Sequence, residues 1–431
     1  MIVIYSPYQS ARLSYVFDTL FSEWLATPYR LISDKVEFGN FDSKYKLWYH
    51  ESAPSDASLW VHNSGFLADD EVRKCKVKVS GEGKDVLLFP GDGDFGFDVF
   101  AGIFYLISRY EEYHDAERDI HGRFPAKCSL AYRMGFLQYP IVDIWRKKFV
   151  ETSILKWGDA PFQEPGFQFI ASVDVDNATA FSNKGFFRGI LGVFRSIFLA
   201  NKPVVRRVKS LFDARVDPFN TYDFQWRATQ NIRYIHFVLC AAFSGHDRSL
   251  SPGNRYFQEL IRKMDQNAEV AWHPSYAAFG NLEALRLEKM KLEAILGRPV
   301  IRSRQHYIRL KFPETYRQLF SLGIKEDYSM GYPEMPGFRA GTTMPFRFFD
   351  VAANRAQDFM IYSFPWLDTF YSEKQGVSAQ KAFGLMTQLG DLVRTYGGVL
   401  VAVMHHRSFS EWEGRWRGWP GVFEDLIKRY R

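Results

Sequence analysis

The chain has 431 residues, of which 46% are hydrophobic and 24% charged, values typical of a globular protein with room for two or three domains. Its 55 basic and 49 acidic residues give a net charge of +6, and the basic residues are mostly dispersed, which argues against a nucleic-acid partner. The three cysteines lie far apart, so neither a disulfide framework nor a cysteine zinc site is indicated.

The apolar segments of the sequence bear on where the protein resides. The first seven residues lack a basic region, a long apolar core and a small-residue cleavage site. No apolar run reaches the roughly 18 residues that a membrane span needs. We therefore expect a cytoplasmic protein.

Residues 1–155 are predicted to form a smaller N-terminal α/β domain. A short strand at residues 2–5 is followed by an amphipathic stretch at 13–25 and then by turn-rich sequence. Apolar side chains at helical spacing predict a helix within residues 97–113. Glycine and proline residues between 158 and 166 mark the end of this domain.

An unusually long segment separates the first two strands predicted in the second part of the chain. Within residues 184–209, apolar side chains recur at helical period, while basic side chains lie off that stripe. The pattern fits a helix on an anionic membrane surface, which would give the protein a peripheral membrane contact. It also fits a helix that packs on the protein itself.

From residue 167 onward the sequence alternates between strands and helices. Seven strands are predicted, at residues 167–173, 235–239, 268–272, 299–302, 323–325, 359–363 and 399–403. The clearest helix between them covers residues 281–296 and ends at Gly297. This alternation predicts an α/β fold in which residues 167–431 form a parallel barrel with its helices outside.

Polar side chains capable of chemistry follow five of these strands. The first strand ends in Asp174-Val175-Asp176, and two carboxylates at this spacing could divide the work of binding a metal and taking a proton. The residues at the other strand ends are His273, Arg304 to Tyr307, Asp368, and His405 with His406. Barrel enzymes assemble their active sites at the carboxyl ends of the strands, so the sequence predicts an enzyme.

These motifs resemble those of the polysaccharide deacetylases, also called the NodB-homology or carbohydrate esterase family 4 group. The resemblance covers residues 167 to 425 and rests on the order and spacing of the strand-end motifs. It implies a distorted seven-stranded (β/α) barrel that uses one divalent metal, expected to be zinc, to remove acetyl groups from sugars. Residues 1–155 resemble an uncharacterised module that accompanies a divergent branch of the family.

The resemblance implies roles for the residues of the reaction centre. Asp174 would be the general base, while Asp176 and His273 would bind the metal. His406 would protonate the leaving amine, and Asp368 would orient that histidine and favour its charged form.

Further residues are expected to line the substrate groove. Arg304 or Arg339 would either hold the Asp174 carboxylate or bind a substrate oxygen. Tyr307 and Trp366 are the aromatic candidates for contact with a carbohydrate substrate, together with the loop at residues 331–346.

One position departs from the pattern of the family. The second histidine of the metal motif would fall at position 277, which is an alanine. His306, at the end of the next strand, could supply a third ligand in its place. Otherwise the site binds metal weakly, needs the substrate to complete it, or has lost the metal.

Two other functions fit the same sequence. The alanine at position 277 and the many aromatic residues suit a catalytically degenerate barrel that binds carbohydrate or acts as a scaffold. A hydrolase of another non-peptide amide, such as a cyclic ureide, is the second alternative, because related barrels perform that reaction. A stoichiometric bound divalent ion would favour an enzyme over a binding protein.

Overall fold

Two sheets of mainly parallel strands carry the fold of this protein, described by a computed structural model for residues 1–114, 117–183 and 204–431. The strands of the first sheet are β1 (Ile2–Tyr5), β2 (Tyr29–Ile32), β3 (Lys46–His50) and β4 (Leu59–His62). They lie in the order β2-β1-β3-β4, and every neighbouring pair is parallel. All four residues of β1 are buried, as expected for an apolar strand inside a parallel sheet.

Five α-helices belong to the described residues of the first part of the chain. They are α1 (Ala11–Phe17), α2 (Lys35–Asn40), α3 (Val99–Ile107), α4 (Leu130–Arg133) and α5 (Ile141–Trp157), and a two-stranded ladder pairs β5 (Val79–Ser80) with β6 (Leu87–Leu88). The helix predicted within residues 97–113 is confirmed over α3, which is buried along its whole length. It ends early because Arg109 takes a left-handed conformation with φ of 54°, and a 3-10 turn follows.

The second sheet contains eight strands. They are β7 (Phe167–Val175), β8 (Arg233–Val238), β9 (Glu269–Trp272), β10 (Arg302–Ser303), β11 (Glu326–Met330), β12 (Phe346–Asp350), β13 (Arg355–Ser363) and β14 (Gly398–His405). Their order is β12-β13-β11-β10-β9-β8-β7-β14. Each of the seven predicted strands overlaps or adjoins one of these, and those seven run parallel to one another.

The strand count and the closure of the sheet differ from the expected seven-stranded barrel. The additional strand, β12, pairs antiparallel with β13 through a tight turn in which Asn354 has φ of 48°. Between the two ends of the parallel array, the described residues form one isolated bridge, from Leu367 to Val403. The sheet is therefore curved toward closure without a continuous ladder there. β12 was not predicted because it is only five residues long and its apolar–polar alternation breaks at Phe349.

Seven helices belong to this part of the chain within the described residues. They are α6 (Val204–Phe212), α7 (Tyr222–Ala228), α8 (Arg255–Asn267), α9 (Leu282–Leu296), α10 (Glu314–Ser321), α11 (Ala379–Tyr396) and α12 (Trp419–Tyr430). The predicted helix at 281–296 is confirmed as α9, where the Asn281 side chain accepts from the Ala284 amide and Gly297 ends the helix with φ of 70°.

The candidate membrane segment lies mostly outside the described residues, which resume at residue 204 with α6. Among the helices that the structure describes, none has both the length and the hydropathy needed to cross a membrane.

The residues before and after position 160 share one hydrophobic core. Side chains of the first part also bond to the backbone of the second: the Tyr15 hydroxyl donates to the Arg347 carbonyl at 2.7 Å, and the Trp24 indole donates to the Pro345 carbonyl at 2.8 Å. These contacts fix the first part against the β12 edge. The division into domains at 1–155 and 167–431 stays a prediction.

Candidate metal and catalytic site

The polar residues that follow the parallel strands meet at one edge of the second sheet. His405, the last residue of β14, lies opposite Asp174 in the ladder between β14 and β7. His273 directly follows β9. Because the carboxyl ends of parallel strands lie at the same edge, these side chains converge. They line a cavity of about 480 Å³ together with Asp176 and His306.

Asp176, His273 and His306 bring three metal-binding groups together. Their ligand atoms all lie within 4.8 Å of one another. The Asp176 Oδ1 atom is 3.3 Å from His273 Nε2 and 3.7 Å from His306 Nε2. Two ligands about 2.1 Å from a shared tetrahedral ion lie roughly 3.4 Å apart, so these spacings fit one divalent cation.

The hydrogen-bond partner of Nδ1 fixes the tautomer of each of the two imidazoles, His273 and His306. His273 Nδ1 lies 2.5 Å from the Arg304 carbonyl oxygen, and His306 Nδ1 lies 2.9 Å from Asp247 Oδ1. Because both oxygens can only accept, each Nδ1 carries a hydrogen and each Nε2 faces Asp176. Asp176 Oδ1 is buried and has no hydrogen-bond partner among the described residues. A cation held between Asp176 Oδ1 and the two Nε2 atoms would give each of these three atoms a partner.

Asp247 is a part of this site that the sequence analysis missed. Its carboxylate accepts from His306 Nδ1, from the Ser244 hydroxyl at 2.7 Å, and from the amides of Tyr276 and Ala277 at 2.8 and 3.1 Å. Burial works to raise the pKa of Asp247, but these donors, His306 first, lower it to about 2. Asp247 lies in the loop after β8, which is the second of the predicted strands. This position at a strand end could have marked it as a candidate site residue.

The predicted pair of Asp174 and Arg304 is present in the structure. The Arg304 side chain is fully buried and donates from Nη1 to Asp174 Oδ1 at 2.7 Å. Its other nitrogens donate to the Ser172 hydroxyl at 2.8 Å and to the Tyr328 carbonyl at 3.0 Å. This arginine therefore holds one carboxylate oxygen, while Asp174 Oδ2 lies on the metal side, 4.0 Å from His273 Nε2.

Asp368 pairs with His405 and not with His406, which corrects the expected acid pair. Asp368 Oδ1 lies 2.6 Å from His405 Nδ1, and Asp368 Oδ2 accepts from the His405 amide at 2.7 Å. His405 Nε2 lies 3.9 Å from Asp176 Oδ2. Burial works to lower the pKa of His405, but the Asp368 carboxylate outweighs it and raises the pKa to about 9.

His406 has a structural environment in the core beside the cavity. It lies 2.5 Å through Nε2 from the Phe219 carbonyl oxygen and 3.0 Å through Nδ1 from the Gln225 amide nitrogen. Its ring also stacks on Tyr222 with the centroids 4.3 Å apart. Burial lowers the pKa of His406 to about 4, so this imidazole is neutral at physiological pH.

The three residues predicted to contact substrate are placed differently. Tyr307 lines the cavity and is 36% exposed. Arg339 is only 1% exposed and forms an ion pair with Glu112 at 2.7 Å, so it is unable to reach a ligand in the cavity. Trp366 is also 1% exposed and packs inside the hydrophobic core. The structure therefore places one of the three, Tyr307, at the cavity.

The N-terminal region completes the wall of the cavity. His121 and Arg123 are among the residues that line it. Arg123 donates to the Tyr307 carbonyl at 2.9 Å, and Arg309 donates to the His121 carbonyl at 2.8 Å. These reciprocal contacts attach the loop at residues 117–123 to the turn that carries His306.

Comparisons with known proteins locate one family and a set of distant structural relatives. Residues 2–156 match a family model described as "Family of unknown function (DUF7033)". No curated protein matches the chain.

The solved structures that resemble the chain do so distantly. A putative polysaccharide deacetylase from Mycobacterium smegmatis is 15% identical with a TM-score of 0.39, over 62% of this chain and 86% of that one. The Puue allantoinase is 12% identical with a TM-score of 0.36, over 61% and 83% of the two chains. A probable polysaccharide deacetylase from Pseudomonas aeruginosa PAO1 is 11% identical with a TM-score of 0.36, over 61% and 84%. At these values the likeness supports no argument about activity.

Proposed function

We propose that this protein is a metal-dependent hydrolase that removes acetyl groups from N-acetylated sugars or glycan precursors. The observation that carries the proposal is the convergence of the ligand atoms of Asp176, His273 and His306 within 4.8 Å, in a cavity that Asp174 and His405 also line. A carboxylate base, a protonated imidazole and a metal site are the groups that amide hydrolysis needs. The resemblance of the strand-end motifs to polysaccharide deacetylases supplies the substrate class.

The donor set favours zinc among the divalent ions. Two imidazole nitrogens and one carboxylate oxygen form the three-ligand arrangement typical of catalytic zinc, which leaves a position open for water or substrate. A zinc ion held there would polarise the acyl oxygen of the substrate and lower the pKa of the attacking water. In this proposal His306 takes the place of the histidine that is missing at position 277.

Asp174 is proposed as the general base. Arg304 holds its Oδ1 atom at 2.7 Å, which leaves Oδ2 free on the side of the metal ligands. A carboxylate fixed in this way can accept a proton from the attacking water without binding the metal itself.

His405 is proposed as the general acid in place of His406. Its pKa of about 9 keeps the imidazole protonated at neutral pH, and Asp368 fixes Nδ1 so that Nε2 points toward Asp176 and the cavity. The proton on Nε2 is the one that the leaving amine would receive.

Gln305 is proposed to contact a substrate oxygen. The residue is 2% exposed, lines the cavity, and its Nε2 atom has no hydrogen-bond partner among the described residues. A buried amide without a partner costs free energy, so a ligand that accepts its hydrogen bond would gain from it.

Metal content and acetate release test the proposal together. We expect one divalent ion per purified chain, and release of acetate from N-acetylglucosamine oligomers when zinc, cobalt or nickel is bound. Asp176→Ala and His306→Ala should abolish both, whereas the matched change His50→Ala, on β3 of the first sheet, should affect neither.

Two results would contradict the proposal. A folded protein that binds no ion at saturating metal would favour the carbohydrate-binding alternative. A metal-loaded protein that hydrolyses a cyclic ureide but no acetylated sugar would favour the other amide hydrolase.

A further inference from the structure

The wall of the cavity around the candidate metal site is rich in cationic side chains. The residues come from four separate segments. Arg123 belongs to the N-terminal region, and Arg248, Lys374 and Arg407 lie in the segments that follow β8, β13 and β14, respectively. A concave surface with an excess of one charge concentrates ligands of the opposite charge.

Two of these four cations are already neutralised by carboxylates. Arg123 pairs with Asp119 at 2.7 Å, and Arg407 pairs with Glu373 at 3.0 Å. Glu413, the other carboxylate of the outer wall, pairs with Arg415 at 3.1 Å.

The other two cations lie outside the ion pairs of the described residues, and carboxylates such as Glu334 act on Lys374 only at longer range. Arg248 and Lys374 form no ion pair in the described part of the chain, and the Lys374 ammonium donates only to the neutral Pro333 carbonyl, at 3.0 Å. Both side chains are solvent-exposed, so each can reorient toward a ligand.

The inner site does not offset this positive charge. Arg304 neutralises Asp174, and a divalent ion would exceed the single negative charge of Asp176. A neutral acetylated sugar offers hydroxyl and carbonyl acceptors but no negative charge to balance Arg248 and Lys374. Phosphate and carboxylate groups supply that charge, and they accept charge-assisted hydrogen bonds from guanidinium and ammonium groups.

We infer that the ligand of this cavity is an acetylated sugar that carries an anionic group, a phosphate or a carboxylate, which Arg248 and Lys374 bind. The inference rests on the proposed function for the acetyl-sugar part of the ligand and on the charge of the wall for the anionic part.

Titration calorimetry with three sugars tests this inference without requiring turnover. The probes are N-acetylglucosamine, N-acetylglucosamine 1-phosphate and N-acetylmuramic acid, each titrated into the full chain with and without added zinc. We expect at least one anionic sugar to bind about tenfold more tightly than the neutral sugar at low salt. The preference should decline as the salt concentration rises.

A pair of matched double variants assigns that preference to the two side chains. Arg248→Gln with Lys374→Gln should remove the roughly tenfold anion preference. Arg255→Gln with Lys428→Gln should keep it, since these cations lie on α8 and α12 outside the cavity. Tight binding of the phosphate alone identifies a phosphorylated sugar, and tight binding of both anions identifies a site for either group.

Each remaining result decides between the inference and the proposed function. Equal affinities for the three sugars, or a preference that survives in the cavity double variant, would overturn the inference. Acetate release without an anion preference would keep the proposed function and overturn the inference. An anion preference without any acetate release would keep the inference and overturn the proposed function. If none of the three sugars binds, the inference and the proposed function are both overturned.

Discussion

The link from Asp247 to His306 makes a quantitative prediction about metal affinity. Asp247 receives four donors, namely His306 Nδ1, the Ser244 hydroxyl and two backbone amides. In Asp247→Asn the side chain keeps one oxygen and turns an NH₂ group toward donors that need an acceptor. We expect the His306 ring to lose its fixed orientation, because a histidine ligand depends on the acceptor of its other nitrogen.

The size of the effect follows from the position of Asp247 behind the ligand. Loss of such an outer partner typically costs 10- to 100-fold in metal affinity, which corresponds to about 1.4 to 2.7 kcal/mol. His306→Ala removes the ligand itself and should cost more than Asp247→Asn. Asp223→Asn is the matched control, because this carboxylate is exposed on α7 and, within the described part of the chain, pairs with Lys263 alone.

A competition titration against a zinc-binding dye measures these affinities directly. Circular dichroism of each variant would show that the fold is kept. Unchanged affinity in His306→Ala would refute the assignment of His306 as third ligand. A loss in His306→Ala with no change in Asp247→Asn would keep the ligand and refute the orienting role.

Three further predictions concern the base, the acid and a buried carboxyl group. Asp174→Asn should keep the metal and reduce acetate release by about 10²- to 10⁴-fold, and a simultaneous loss of zinc would contradict the role as base. His405→Gln should likewise slow turnover at unchanged metal content, whereas His406→Gln should chiefly lower the midpoint of urea unfolding; the opposite pattern would restore His406 as the acid. Burial raises the pKa of Asp143 to about 6, so the native state holds a proton that the unfolded chain releases. This carboxyl therefore lowers the free energy of unfolding by about 2 kcal/mol as pH rises from 4 to 7. Asp143→Asn should remove that decline, and an unchanged pH dependence of urea unfolding would show that the carboxyl is not its source.

The sheet was predictable because its strands are apolar runs that end in polar residues. Parallel strands buried on both faces show as nearly continuous hydrophobic sequence, which is why seven of them were found. The same property hides which face each side chain occupies. All residues of β14 from Gly398 to Met404 are buried, so no alternation indicates whether His405 or His406 faces the cavity.

The choice between the two histidines depends on register between distant strands. In the structure His405 lies opposite Asp174 of β7, and Asp176 directly follows the end of that strand. Side chains paired across a ladder point to the same face of the sheet, so this register places His405 beside Asp174 and Asp176. Both ring nitrogens of His406 instead face Phe219 and Gln225 at the side of the cavity. No local pattern fixes the pairing of two strands separated by more than 200 residues.

Arg339 and Trp366 could not be assigned from sequence for a related reason. Both lie in segments whose composition suits a groove, yet each is only 1% exposed. Arg339 is held by Glu112, from the turn after α3, and its carbonyl accepts from Arg109. The sequence alone does not reveal that Glu112 and Arg109, more than 200 residues away, contact this arginine. The local sequence around Arg339 is therefore the same whether its side chain lines a groove or forms a buried ion pair.

The alanine at position 277 shows why a missing motif residue does not by itself imply a missing metal. A sequence motif counts ligands at fixed spacing along one segment, whereas an ion requires donor atoms at fixed distances in space. Here the amide of Ala277 donates to Asp247, and Asp247 in turn accepts from His306. The backbone at the altered position thus helps to orient a histidine from the next strand end. Three candidate ligands therefore lie together here, although the segment that follows β9 contributes only His273.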